Sequence, residues 1–374
     1  MIQNTNINNS INVVSNNLDK SKKSSQDKKN SVLNNKVESC IINSFEENKN
    51  HSQIIGTQAI GGKYHFTNQN PLSEEATRIH EMGSKMIKIS LKDGKVPKDI
   101  LEMPFDTFFF WWRSDSKNWK NGLSESDKKI EYKATYDLAT KLLKDNSKLE
   151  RTFFLGHWEG DWYLVNSKTK EEPTTTKIQG MIDWLNIRQK AVEDARNEVG
   201  SKSLSKVYHY TEVNRVRDAM VHQKSRLVNK VLPHTNVDYV SYSSYDVQRE
   251  SQKVIDETIK YIENNLPKKE GINGPRVFIG ECGIQAKSVN FDSIKHEKVN
   301  RDILIKFLKS GVPYILYWEM YNNEVVNNKH QGFWLIDDKN QKQPLYYTLE
   351  ALYEMQKDFQ DTRKQSINWL QEKK

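Results

Sequence analysis

The chain has 374 residues, room for one large domain or two ordinary ones, and a formal net charge of +8. Its lysines are scattered rather than gathered into a stripe, which argues against a nucleic-acid surface. Hydrophobic residues make up 36% of it and no stretch approaches the ~20 apolar residues of a membrane span, while two cysteines, Cys40 and Cys282, are too few for a disulfide framework or a cysteine metal site.

Residues 1–50 form a separate compositional zone with 13 Asn, 8 Ser and 7 Lys, and Phe45 is its only aromatic. Such a segment cannot bury enough apolar surface to offset its ordering entropy, so a disordered leader is expected, with a targeting role as the alternative. The opening MIQNTNINNSINVVSNN lacks the basic start and apolar stretch of a secretory signal peptide. A cytoplasmic protein, or one exported by another route, is the expectation.

From His51 short apolar runs alternate with longer amphipathic stretches, the pattern of βα units. Strands are predicted at 54–60 (IIGTQAI), 85–91 (KMIKISL), 107–112 (TFFFWW) and 152–158 (TFFLGHW). Four more follow at 205–211 (SKVYHYT), 237–242 (VDYVSY), 276–280 (RVFIG) and 314–318 (YILYW). Between them helices are predicted at 73–83, near 98–103, and over 124–144, 176–199, 214–228, 247–266 and 295–310. A closing helix spans 346–357. Eight strands with intervening helices and a closing helix predict a single (β/α)8 barrel over 51–358, with a C-terminal helical extension over 359–374 that frays through Trp369. No Walker-type loop is present and no GxGxxG follows the first strand, so no nucleotide cofactor is expected. Neither is a metal.

If the strands close, their C-terminal ends share one mouth. Trp111, Trp112 and Arg113 arrive there from the third strand, and His157, Trp158, Glu159, Asp161 and Trp162 from the fourth. The fifth supplies His209, Tyr210, Glu212 and Asn214, and the sixth Tyr242, Tyr245 and Asp246. Glu281 follows the seventh, held between Gly280 and Gly283; Trp318, Glu319, Tyr321 and Asn322 follow the eighth. Indole and phenol rings interleaved with carboxylates suit a carbohydrate, whose C–H faces stack while its hydroxyls bond. Glycoside hydrolysis needs two carboxyl groups flanking the scissile bond, and Glu159 and Glu281 lie on opposite sides of the eight-strand ring. Large aromatics that merely fill the barrel are the bland alternative for any single tryptophan.

This arrangement resembles clan A, the retaining glycosidases built on a (β/α)8 barrel, over about residues 54–355. The resemblance implies that Glu281 in FIGECG is the nucleophile and that a carboxyl after strand four is the acid/base. It also implies that Trp318 in LYWEM lies under the sugar at the cleavage point, with Tyr242 or Tyr245 beside the nucleophile. One departure stands out. Clan members carry Asn-Glu after strand four, where this chain has Trp158-Glu159 in GHWEGDW. His157 or Asn214 would then supply the hydrogen bond to the sugar 2-hydroxyl, or activity has been lost. The acid/base is Glu159 first, Glu212 second, or neither of them, and Glu212 is otherwise an electrostatic neighbour that raises the acid's pKa. Arg113 is read as a substrate- or nucleophile-orienting cation or a structural ion pair, and Asp161 and Asp246 as hydrogen-bonding or loop-capping residues. Glu319 is expected to face away, since neighbouring strand residues alternate direction. The leading expectation is a monomeric retaining glycoside hydrolase acting on an oligo- or polysaccharide. A catalytically inactive carbohydrate-binding or interaction barrel is the alternative.

Overall fold

The computed structural model describes residues 53–91, 94–114, 119–165, 172–358 and 361–373. The leader expected at 1–50 and Cys40 lie outside the described residues. Eight parallel strands close into a barrel in sequence order. They are β1 (Ile55–Ala59), β2 (Met86–Ser90), β3 (Thr107–Trp111), β4 (Thr152–Gly156), β5 (Lys206–Val213), β6 (Tyr239–Ser243), β7 (Val277–Cys282) and β8 (Ile315–Tyr317). The ring closes where Ile55 of β1 pairs with Ile315 of β8. This is the (β/α)8 barrel expected from the strand count.

Strand alternation sorts the side chains into two cores. Met86, Phe109, Trp111, Phe154, Tyr210, Phe278, Leu316 and Trp318 point inward and fill the barrel. Phe109 and Phe154 stack there at 4.6 Å with planes 7° apart. Their neighbours Ile87, Phe108, Phe110, Phe153, Leu155, Val240 and Ile279 point outward and pack under the helices. Fully burying each such side chain is worth roughly 1.5–3 kcal/mol. Above the aromatic floor the inward positions turn polar: Gln58, Lys88, Glu212, Ser241 and Ser243 are all buried.

The helices begin where the sequence supplies caps. Ser124 Oγ accepts from the Asp127 N–H at 3.1 Å, opening α1 (Glu125–Asp145) with a capping box. Thr174 caps α2 (Thr175–Val199), which ends at Gly200 with φ 53°. Between these two long helices and the barrel, Arg188 is fully buried, 3.6 Å from Glu131 and stacked on Trp184 at 4.8 Å. The C-terminal extension is helical over Thr362–Glu372, capped by Asp361, and Arg301 donates to the Leu370 carbonyl at 2.8 Å. Leu370 is buried, so an apolar anchor and a buried guanidinium hold what composition alone reads as a fraying end. Among the described residues no helix is long and apolar enough to cross a membrane.

Candidate active site

The seventh strand carries the organising irregularity. Gly280 falls at an inward position, and a Cβ there would lie 1.7 Å from Ser241 Oγ and 2.9 Å from Glu212 Oε2, so only glycine fits. The β6–β7 register then shifts: Tyr242 pairs with Ile279, and Ser243 with Glu281. The extra residue re-aims the strand and brings Glu281 level with Ser243, an inward position. The freed Gly280 carbonyl accepts from Lys88 Nζ at 2.9 Å and from Gln58 Nε2 at 3.0 Å. Both β1 and β2 thereby hold the peptide that precedes Glu281.

Three carboxyl groups converge on this point. Glu281 is 3% exposed, its Oε1 has no hydrogen-bond partner among the described residues, and Lys88 Nζ lies 4.0 Å from it. Burial, then the charges of Glu212 and Glu159, push its pKa well above the usual carboxylate range; Lys88 and a hydrogen bond from Tyr245 pull it back. Glu212 is fully buried. Its Oε2 accepts from Lys88 Nζ at 2.7 Å, Ser241 Oγ at 2.7 Å and Trp111 Nε1 at 3.4 Å, and its Oε1 accepts from the Glu159 N–H at 3.0 Å. Glu159 sits at the head of the short helix Gly160–Leu164. Its carboxyl accepts from Ser243 Oγ at 2.6 Å and Trp162 Nε1 at 2.5 Å. Burial raises it to about 7, the Glu212 charge adding to the effect while those two hydrogen bonds and Lys88 oppose it. A carboxyl poised near neutrality beside two others is what proton transfer requires.

Aromatic rings wall the carboxyls. Trp111 and Trp318 face each other at 5.7 Å with planes 39° apart, and the Lys88 ammonium sits 4.2 Å over Trp111. Trp318 is joined to Glu319 by a cis peptide. Tyr245 follows β6 with its ring exposed and edge-on to Phe333 at 6.0 Å. Trp158 is 39% exposed, edge-on to Tyr163. Arg113 lies at the rim, 5.7 Å over the same Tyr163 ring, and the cation beside Glu281 is Lys88 instead.

Four residues expected at the mouth face outward instead, because strand alternation sends every second side chain to the helix layer. Trp112 packs against Arg188 at 5.3 Å. Tyr242 donates to Asp246 Oδ1 at 2.5 Å, and Asp246 also accepts from the Arg217 N–H at 3.0 Å. Burial pushes Asp246 up to about 6. His209 is fully buried with neither ring nitrogen hydrogen-bonded among the described residues. His157 Nδ1 lies 3.0 Å from the Trp158 carbonyl and Nε2 2.8 Å from Thr211 Oγ1. A carbonyl only accepts, so Nδ1 carries the proton and Nε2 receives the threonine hydroxyl. Burial lowers His157 to about 4, a neutral ring. Asn214 and Asp161 bond each other reciprocally, each N–H donating to the other's side chain at 3.1 Å. Neither His157 nor Asn214 is therefore presented to a sugar 2-hydroxyl.

Glu319 is fully buried and faces Glu75 of the helix Pro71–Glu81, away from the mouth as alternation predicts. Lys88, Ser241 and Ser243 are the site residues that sequence reading missed. The signal was present: Lys88 alternates with Met86 as an inward position of an otherwise apolar strand, and Ser241 and Ser243 keep the same phase in β6. Among the described residues no group of three or more His, Cys, Asp or Glu is arranged to hold a metal ion.

No protein-family model matches the sequence, and no curated protein matches it either. Solved structures do resemble the fold. A family 5 xyloglucanase from Paenibacillus pabuli is 12% identical at a TM-score of 0.51, covering 82% of this chain and 99% of its own. The GH5-4 broad-specificity endoglucanase of Clostridium longisporum is 12% identical at 0.50, covering 82% and 97%. The β-D-glucuronidase of Dictyoglomus thermophilum is 10% identical at 0.50, covering 80% of this chain and 50% of its own. This chain thus spans about half the length of that uronidase. At these identities the likeness is one of fold: a barrel shared with GH5 and other glycoside hydrolases.

Proposed function

We propose that the protein is a retaining glycoside hydrolase acting on an oligo- or polysaccharide. The observation that carries the reading is the buried Glu159–Glu212–Glu281 cluster at the barrel mouth, walled by Trp111, Trp318 and Tyr245. Glu281 Oε1, without a hydrogen-bond partner among the described residues and beside Lys88, is the nucleophile that attacks the anomeric carbon. Glu159, held near neutrality, donates its proton to the departing oxygen and then takes one from water that cleaves the glycosyl–enzyme ester. The two carboxyls and Glu212 crowd one ammonium, so a proton kept on Glu159 is what allows Glu281 to ionise. A sugar ring packs over the touching Trp111 and Trp318 indoles, and the exposed Trp158 extends that surface outward.

A second reading, a barrel that binds carbohydrate without cleaving it, is favoured by one observation: Trp158 stands where clan A places asparagine, and His157 and Asn214 are both engaged elsewhere. Kinetics separate the two. Aryl glycosides and oligosaccharides are turned over by the wild-type chain and not by Glu281→Gln under the first reading; under the second, oligosaccharides bind and nothing in the panel is cleaved.

A further inference from the structure

The mouth holds one carboxyl more than double displacement uses, together with a lysine buried on a barrel strand. We propose that Glu212, itself held by Lys88, is a positioning residue that neither attacks nor protonates the substrate, but fixes Glu159 through its backbone N–H and sets the charge that its carboxyl faces. The role presupposes the glycosidase reading for its effect on rate, though not for its effect on Glu159 itself.

Glu212 is unsuited to proton transfer. Among the described residues four donors occupy its two oxygens, one of them Lys88 Nζ at 2.7 Å. It is also fully buried, whereas Glu159 keeps some exposure and, among the described residues, accepts from two neutral donors. The link between the two glutamates is a hydrogen bond as well as charge. The Glu159 N–H donates to Glu212 Oε1, so the anion grips the backbone of the residue whose proton it retains.

Lys88 gives the pair its second contact with the chemistry. Its ammonium spends one bond on Glu212 and one on the Gly280 carbonyl, stacks on Trp111, and ends 4.0 Å from Glu281 Oε1. One cation therefore serves the fixed anion, the peptide before the nucleophile and the nucleophile. The groups facing Glu159 are Glu212 on β5, Lys88 on β2, Glu281 on β7, Ser243 and Tyr245 at β6 and Trp162 on its own helix. Of the charges acting on it, that of Glu212 outweighs that of Lys88. Neutralising Glu212 should release the proton at lower pH.

The test is a carboxyl titration that needs no substrate. The side-chain carboxyl carbons of ¹³C-glutamate-labelled protein are followed by NMR against pH, with the Glu159 resonance assigned by its loss in Glu159→Gln. In Glu212→Gln the Glu159 titration is expected to move down towards the ordinary carboxylate range, and the basic limb of kcat/KM to move with it. Lys88→Met alone should lower Tm sharply, since it strands a buried carboxylate, and Lys88→Met/Glu212→Gln should recover most of that loss. Where Glu212→Gln fails to fold, this double variant carries the titration, with a smaller downward shift expected. An unmoved Glu159 titration in a folded variant overturns the proposal. So does a Glu212→Gln enzyme that cleaves activated aryl glycosides but, even at a pH below its shifted Glu159 titration, has lost substrates with poor leaving groups, because Glu212 would then be the acid. A wild-type chain that cleaves nothing ends the glycosidase reading, while the titration still decides the coupling.

Discussion

At the scale of single residues, the site depends on one glycine and one displaced pair of strand partners. Gly280→Ala would drive a methyl into Ser241 Oγ and Glu212, and it is expected to cost activity well beyond its effect on Tm, read as kcat/KM alongside thermal melting. Glu159→Gln should lower turnover of substrates with poor leaving groups by roughly 10²–10⁴-fold, the usual worth of general acid–base catalysis. It should spare activated aryl glycosides in their first step. Because Glu159 is held up to about 7 and must be protonated to act as the acid, kcat/KM is expected to fall as pH rises through that value. A basic limb at the same pH in Glu159→Gln would contradict the assignment. Glu281 was legible as a carboxylate behind a strand and between glycines. What the sequence could not show is that Gly280 is the inward residue and that a register shift turns its neighbour to face the mouth.

At the scale of elements, apolar runs located all eight strands, but their ends are set by polar residues that hydropathy leaves outside. β5 runs on through Glu212 to Val213 and β7 through Glu281 to Cys282, so both carboxyls sit within strands rather than in the loops that follow. The same phase explains the four outward-facing misplacements, Trp112, His157, His209 and Tyr242: listing residues near strand ends ignores which of them point inward. The region expected as one helix over 214–228 is instead Val216–His222 followed by a π-helical turn over Leu227–Val231. Asp161 accounts for the turn's placement, accepting from the Leu227 N–H at 2.8 Å. Helix packing supplies a test independent of catalysis. A Cβ on Gly180 of α2 would lie 1.8 Å from the Trp119 carbonyl oxygen, so Gly180→Ala should destabilise by about 1–3 kcal/mol despite alanine's better helix propensity. Urea denaturation measures it, and a stabilised variant would show that the contact yields.

At the scale of the whole molecule, buried carboxyls should tie stability to pH. Glu75 is fully buried, accepts from the Gly62 N–H at 2.7 Å, and is raised by burial to about 8. Its folded pKa exceeds the unfolded value, so the folded chain holds a proton that the unfolded chain releases between about pH 4.5 and 8. Stability contributed this way is complete below that window and is lost as pH rises through it, at about 1.4 kcal/mol per unit of displacement. Urea denaturation at pH 5 and pH 8 is expected to show a smaller fall for Glu75→Gln than for the wild type. Equal falls would mean that Glu75 titrates normally.

Covalent trapping tests the role of Glu281 as nucleophile most directly. The chain would be incubated with a panel of activated 2-deoxy-2-fluoro glycosides, whose glycosyl–enzyme esters hydrolyse slowly, and the protein then digested and mapped by mass spectrometry. One added glycosyl unit on the peptide containing Glu281, absent in Glu281→Gln, is the predicted result. An adduct on Glu159 or Glu212, or turnover that releases the inverted sugar with no adduct, would contradict it.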